Sequence, residues 1–209
     1  MRRPPDISIT RLAIYLRFLE EYIKEKGPQS TINSAQLAQF LNINPHQIRK
    51  DLSYFGKFGE RGVGYYTEEL RYKIAKILGL SKRWNLCLCG AGSLGSALLA
   101  YRGFRQMQLD ILAAFDSDQA KVGRAIRGVK VYNAHDITSV VKELNIDIAI
   151  IAVPTQAAQE ITDKLIDAGI RAILNFAPIK IIVPKDVKLR NVDLSTELIN
   201  LTYFLSVIP

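Results

Sequence analysis

Gly90-Ala91-Gly92-Ser93-Leu94-Gly95 begins where an apolar run, Leu86 to Cys89, stops, and Asp116 closes a second apolar run 21 residues after Gly95. This is the layout of a strand, a glycine-rich turn and a helix that together bind a dinucleotide. Gly90 permits the tight turn, Gly92 lets backbone N–H groups approach a pyrophosphate, and Gly95 lets the helix pack close to its strand. Asp116 is placed to accept a hydrogen bond from a ribose 2′-hydroxyl and to repel a 2′-phosphate, which favours NAD over NADP. Lys121 and Arg124 stand close enough in sequence to offer a phosphate the opposite welcome.

Past the turn, apolar runs alternate with helical periodicity. Strands are expected at 84–89, 110–115, 129–132, 146–153 and 171–174, and helices at 93–101, 137–144 and 156–168. Short strands are further candidates at 179–183 and 187–191. Such alternation predicts a parallel sheet covered on both faces. Val153-Pro154 and Asn175-Phe176-Ala177-Pro178 end strands on the side where ligands bind in such sheets. They offer amides and ring surface, as does Tyr101, and no proton donor or base suited to hydride chemistry. A last helix, 194–206, stacks Leu194, Leu198, Leu201 and Leu205 on one stripe. So apolar a helix needs a partner surface, its own domain or a second subunit.

The residues before the turn differ in charge. Residues 1–83 carry 15 Lys/Arg and 8 Asp/Glu, a net +7, and residues 84–209 carry 13 and 12, a net +1. A polyanion partner for the first half alone fits this asymmetry. Helices are expected at 10–26, from Asn33-Ser34, from Asn44-Pro45 to about Phe55, and after a Thr67 cap. The second and third have helix-turn-helix spacing, and the third opens with Asn44 at the N-cap, Pro45 and then Gln47. Ile48 and Leu52 face its core. His46, Gln47, Arg49, Lys50 and Ser53 lie on the outer face, where Arg reads guanine, Gln reads adenine, and Lys and Ser hold phosphates. Ser34 joins this DNA-facing set. The glycine-punctuated stretch 55–66 carries Lys57 and Arg61 beside aromatics, as the wing of a winged helix does. The domain boundary falls near Ser81-Lys82-Arg83, giving 1–82 and 83–209.

Other classes find little support. Pro4, Pro5 and Asp6 interrupt the basic Met1-Arg2-Arg3 before any export-signal core, and no apolar run reaches membrane-span length. A cytoplasmic protein is the expectation. Cys87 and Cys89 share one face of a strand and read as small buried apolar residues. His46 and His135 have no partner at metal-ligand spacing, so no metal site is expected.

The chain resembles the Rex family of redox-sensing transcriptional repressors along essentially its whole length. The specific pieces are 47–56 (QIRKDLSYFG), 58–65 (FGERGVGY), the 90–95 turn, Phe115-Asp116, Asn175-Phe176-Ala177-Pro178 and Val192-Asp193-Leu194-Ser195. The resemblance implies an α/β protein: a winged helix-turn-helix domain followed by a Rossmann-type parallel sheet, with a terminal helix exchanged between the subunits of a homodimer. It implies NADH/NAD+ as cofactors and a palindromic double-stranded DNA operator, with NADH lowering operator affinity. By motif, Arg49 and Lys50 touch DNA, and Arg11 with Asp193 forms a state-dependent pair. The cofactor set is Gly90, Ala91, Gly92, Ser93, Leu94, Gly95, Asp116, Lys121, Val153, Pro154, Tyr101 and Phe176. The second helix reads Asn33-Ser34-Ala35-Gln36 where an acidic residue is common, and Cys89 directly precedes the turn. The alternative is an NAD-dependent oxidoreductase with an added helical domain.

Overall fold

The computed structural model of the 209-residue chain describes residues 4–207. Met1-Arg2-Arg3, on which the reading of an absent export signal partly rests, lies outside the described residues. The chain divides into two compact units, Met1–Lys82 and Arg83–Pro209.

The first unit is a winged helix-turn-helix. Its long helix α1, Asp6–Lys26, starts four residues earlier than periodicity suggests, because Pro5 sets an extended N-cap and Asp6 stands in the first turn. Strand β1, Thr31–Ile32, leads into α2, Ser34–Leu41. There Asn33 Oδ1 accepts from the N–H groups of Ala35 and Gln36 at 2.9 Å, and Gln36 Oε1 accepts from Asn33 N–H at 2.9 Å. This reciprocal box satisfies donors that a helix start leaves orphaned. Asn42, left-handed at φ 51°, ends α2. Helix α3, Pro45–Ser53, follows at once, with Asn44 Oδ1 accepting from His46 N–H at 2.8 Å. A loop with one antiparallel bridge, Glu60 to Gly64, forms the wing and returns as β2, Tyr65–Tyr66, paired antiparallel with β1. Helix α4 spans Thr67–Ile77. Thr67 does not cap it: its side chain is buried and donates to the Ser30 carbonyl at 3.0 Å, tying α4 to the loop before β1. Leu12, Tyr15, Leu16, Leu19, Leu37, Ile48, Leu52, Leu70 and Ile74 form the core. Each buried aliphatic side chain contributes about 1.5–3 kcal/mol.

The second unit is a Rossmann-type sheet. Its elements are β3 (Trp84–Cys89), α5 (Ser93–Ala100), α6 (Gly103–Gln106), β4 (Leu109–Asp116), β5 (Ala125–Ile126), β6 (Val129–Asn133), α7 (Ile137–Glu143), β7 (Ile148–Ile151), α8 (Thr155–Asp167), β8 (Ala172–Asn175), β9 (Lys188–Asn191) and α9 (Leu194–Val207). The strand order is β5-β6-β4-β3-β7-β8-β9, parallel throughout except for β5 against β6. Residues 179–183 form no strand. Lys188–Asn191 already pairs with β8, and Ile181 buries its side chain in the core without entering the ladder. Alternation along β3 sends Cys87 and Cys89 to the face covered by α7 and α8, and Leu86 and Leu88 to the face covered by α5 and α6. None of the described residues of α9 is buried.

Candidate functional site

Strand order reverses direction between β3 and β7, and in open parallel sheets the crevice beyond the C-terminal strand ends at such a point receives ligands. A cavity of about 570 Å³ lies there. The chain makes its turn at Gly90, whose φ of +96° and position over the Ala152 carbonyl leave no room for a Cβ. A Cβ on Gly95 would collide with the Gly90 carbonyl, so glycine at 95 is what lets α5 start this close to β3. Around Gly92 there is open space, and α5 begins beside it with no side-chain cap. The free N–H groups and dipole of that helix end suit a pyrophosphate.

Asp116 closes one wall. Its Oδ2 accepts from Ala91 N–H at 2.9 Å and from Lys121 Nζ at 3.1 Å, and its Oδ1 accepts from Asp118 N–H at 2.9 Å. Burial pushes this carboxyl up, but the N–H groups of Asp118 and Ala91 and the Lys121 ammonium outweigh burial and hold it below the usual carboxylate range. It stays ionised, and each carboxylate oxygen has lone pairs for a ribose hydroxyl as well. The residues present therefore fit a dinucleotide with a free ribose 2′-hydroxyl.

Gly90, Gly92, Asp116, Lys121, Val153 and Pro154 line the cavity. Ala91, Ser93, Leu94 and Gly95 build the turn and helix without lining it. Tyr101 and Phe176 stand apart. Tyr101 ends α5 after that helix has run back across the sheet, and packs edge-on against Phe104 with ring centroids 5.0 Å apart. Phe176 packs on the Leu86, Leu88 and Ile150 cluster. Ser117, Gln119, Asn133, His135, Glu160 and Lys164 also line the cavity, unforeseen from the sequence. Those at 117–119 and 133–135 follow strand ends beside the reversal, which is a usable signal. Glu160 and Lys164, joined at 2.7 Å, lie on the cavity-facing side of α8, and periodicity alone does not give that. Cys87 and Cys89 are buried free thiols. A hydrogen bond with Cys87, and then burial, push the Cys89 thiol well up, so it is no thiolate nucleophile.

In the first unit, α3 and the wing frame two adjoining grooves. One, of about 390 Å³, is lined by Ser34, Arg49 and Arg61. The other, of about 330 Å³, is lined by Arg49, Ser53 and Lys57. Arg49 Nη1 donates to Ser34 Oγ at 2.8 Å, and Ser53 Oγ donates to the Lys50 carbonyl at 2.7 Å. His46, Arg49, Lys50 and Ser53 are exposed.

Gln47 departs from this set. Its Nε2 donates inward to Asp51 Oδ1 at 2.9 Å. Asp51 is wholly buried and also accepts from Ser8 Oγ at 2.8 Å, Tyr15 Oη at 2.8 Å and the Arg11 guanidinium at 2.6 and 2.5 Å. Burial pushes the Asp51 carboxyl up, and the donors, Arg11 foremost, overcome it and bring the carboxyl below its usual range. An acid three residues after Ile48 and one before Leu52, on the buried stripe of α3, was the signal for this network. Arg11 thereby ties α1 to α3 within the first unit. Asp193 accepts from the N–H groups of Ser195 and Thr196, at 3.0 and 3.3 Å, at the start of α9. Among the described residues no cluster of His, Cys, Asp and Glu is arranged to hold a metal ion, and no helix is long and apolar enough to cross a membrane.

Two family descriptions match: "Putative DNA-binding protein N-terminus" over residues 5–53 and "CoA binding domain" over residues 81–179. The redox-sensing transcriptional repressor Rex of Desulforamulus reducens is 48% identical over 202 residues, covering 97% of this chain and 95% of that protein. Its counterpart in Desulfitobacterium hafniense is 48% identical, over 95% of this chain and 94% of that one. Among solved structures, RSP in complex with β-NAD+ and operator DNA matches with a TM-score of 0.92 at 38% identity, over 98% of this chain and 94% of that one. RSP in complex with β-NADH matches at 0.88 and 37%, over 98% and 95%. With this likeness running through both units, the chain belongs to the Rex family of redox-sensing transcriptional repressors.

Proposed function

We propose that this protein is a cytoplasmic transcriptional repressor that grips a palindromic operator as a homodimer and lets go when NADH fills the cavity at the Gly90–Gly95 turn. The observation that carries this reading is the near full-length likeness to RSP, whose structures hold β-NAD+ with operator DNA in one case and β-NADH in another. Ser34, His46, Arg49, Lys50, Ser53, Lys57 and Arg61 would face DNA. Arg49 reaches a base edge, and the lysines and serines hold backbone phosphates. Gly90, Gly92, Asp116 and the start of α5 would hold the adenosine and pyrophosphate common to both coenzymes. The two coenzymes differ in the charge and planarity of the nicotinamide ring, so the sensing contacts lie at that end of the ligand. Helix α9 would cross to a second subunit. From Leu194 to Val207, eight large apolar side chains are 56–74% exposed, far more than a solvent-facing helix of one chain carries. A two-fold dimer is the natural reader of a palindrome.

A mobility-shift titration on a palindromic site, run with each nicotinamide coenzyme in turn, tests the reading. NADH releases the DNA at concentrations where NAD+, NADP+ and NADPH leave it bound. Operator affinity unchanged at saturating NADH refutes it.

A further inference from the structure

The second unit has a concave surface at the opposite edge of its sheet from the nucleotide cavity. Strands β3, β4 and β6 are parallel, and the cavity lies at their C-terminal ends, at Gly90, Asp116 and Asn133. Arg102 and Arg105 precede β4, and Arg127 precedes β6, so all three lie at the N-terminal edge. They line a groove of about 300 Å³ with Leu99, Ala100 and Tyr101. The lining contains no carboxylate. Among the described residues none of the three guanidinium groups makes an ion pair or a hydrogen bond. Elsewhere in this unit Arg83 is paired with Asp110 and Arg171 with Asp186. Three like charges around one hollow repel one another, and with a sheet unit of net charge near +1 there were acids available to neutralise them.

The backbone at Arg127 is a second, independent sign. Arg127 and Gly128 have φ +53° and +83°, forming the tight turn between β5 and β6. At its first position such a turn favours Asn, Asp or Gly. A long cation holds an unfavourable left-handed backbone here, and it does so where its side chain joins two other arginines.

The geometry points to a phosphate-binding groove at Arg102, Arg105 and Arg127, separate from the coenzyme site. The guanidinium fork matches phosphate oxygens in pairs, and three forks around one hollow suit several linked phosphates better than a single carboxylate. The phosphates come from one of two sources, the DNA backbone flanking an operator or a free polyphosphate anion. Arg83, where this unit begins, stands on the same sheet edge at the start of β3.

The test uses the full chain, wild type against the triple variant Arg102→Gln/Arg105→Gln/Arg127→Gln and the corresponding triple Lys variant. All three side chains are exposed, and unchanged NADH affinity reports an intact sheet unit. Calorimetry with sodium tripolyphosphate is expected to show binding that the Gln variant loses at least tenfold and the Lys variant retains in part. Anisotropy on 20- and 40-base-pair duplexes sharing one palindrome separates the sources. If the source is flanking DNA, the slope of log affinity against log salt on the longer duplex falls by about 0.9 for each phosphate contact removed. If that slope is unchanged while tripolyphosphate binding is lost, the ligand is a free anion. Equal tripolyphosphate binding by wild type and the Gln variant, together with equal salt slopes, overturns the groove. The DNA arm rests on the operator-binding reading and the tripolyphosphate arm does not, so a protein that ignores the operator yet loses tripolyphosphate binding on substitution fails that reading alone.

Discussion

Asp51 and Asp116 each keep a charge in surroundings that oppose it, and donors decide the outcome in both cases. Removing the Asp51 carboxylate strands Arg11 and three further donors beside the core, so Asp51→Ala is expected to destabilise the winged-helix unit by about 3–5 kcal/mol in urea unfolding. The pH dependence follows from the direction of the shift. A carboxyl whose folded value is depressed stabilises the fold above its unfolded value, and that contribution disappears as pH falls through the folded value. Wild type should therefore lose stability steeply below about pH 4, and Asp51→Asn, weaker at neutral pH, should show a shallower acid slope. Asp116→Ala removes a charged hydrogen-bond partner worth roughly 1.5–3 kcal/mol, so NADH affinity should drop tenfold or more while NADPH affinity changes far less. An unaltered ratio in fluorescence titrations would show that the ribose partner is another group. Asp116 was legible because strand, turn, helix and acid occur at a fixed spacing. Asp51 was harder to read, because a periodicity argument assigns charged residues to the outer face, and its place on the apolar stripe between Ile48 and Leu52 was the sole hint of the buried network with Ser8 and Tyr15.

At the scale of elements, α3 is an anchored rod with a free outer face. Arg49→Ala is expected to weaken operator binding by about 1–3 kcal/mol if its contact is to a base, and to leave NADH affinity of the free protein unchanged. Loss of both together would contradict the division of labour between the two units. For α9, Leu198→Glu with Leu205→Glu should convert a dimer to a monomer in sedimentation equilibrium, and a dimer that survives both charges would place the subunit contact elsewhere. The long elements could be read in advance, since apolar runs mark β3, β4 and β7 and cap chemistry marks α2 and α3. The two-residue strands β1, β2 and β5 could not, since a period of two needs more residues than they have. Residues 179–183 misled for the reverse reason: an apolar run buries side chains equally well without joining a ladder. Within one chain Tyr101 and Phe176 do not line the cavity, since α5 carries Tyr101 back across the sheet onto Phe104 and Phe176 packs on the Leu86 and Leu88 cluster.

Across the whole molecule, the account requires that occupancy of one unit alter the grip of the other. A ligand shifts such an equilibrium only by the difference in its affinity for the DNA-competent and incompetent arrangements. Couplings of this kind amount to roughly 1–3 kcal/mol, about 5- to 150-fold. Coupling is reciprocal, and the most direct measurement uses that. The dissociation constant for NADH is determined with the protein free and with it saturated by operator duplex, beside the operator constant with and without NADH. The account predicts that operator weakens NADH binding by the same factor, at least fivefold, by which NADH weakens operator binding. NADH affinity that is the same on and off the DNA would contradict it.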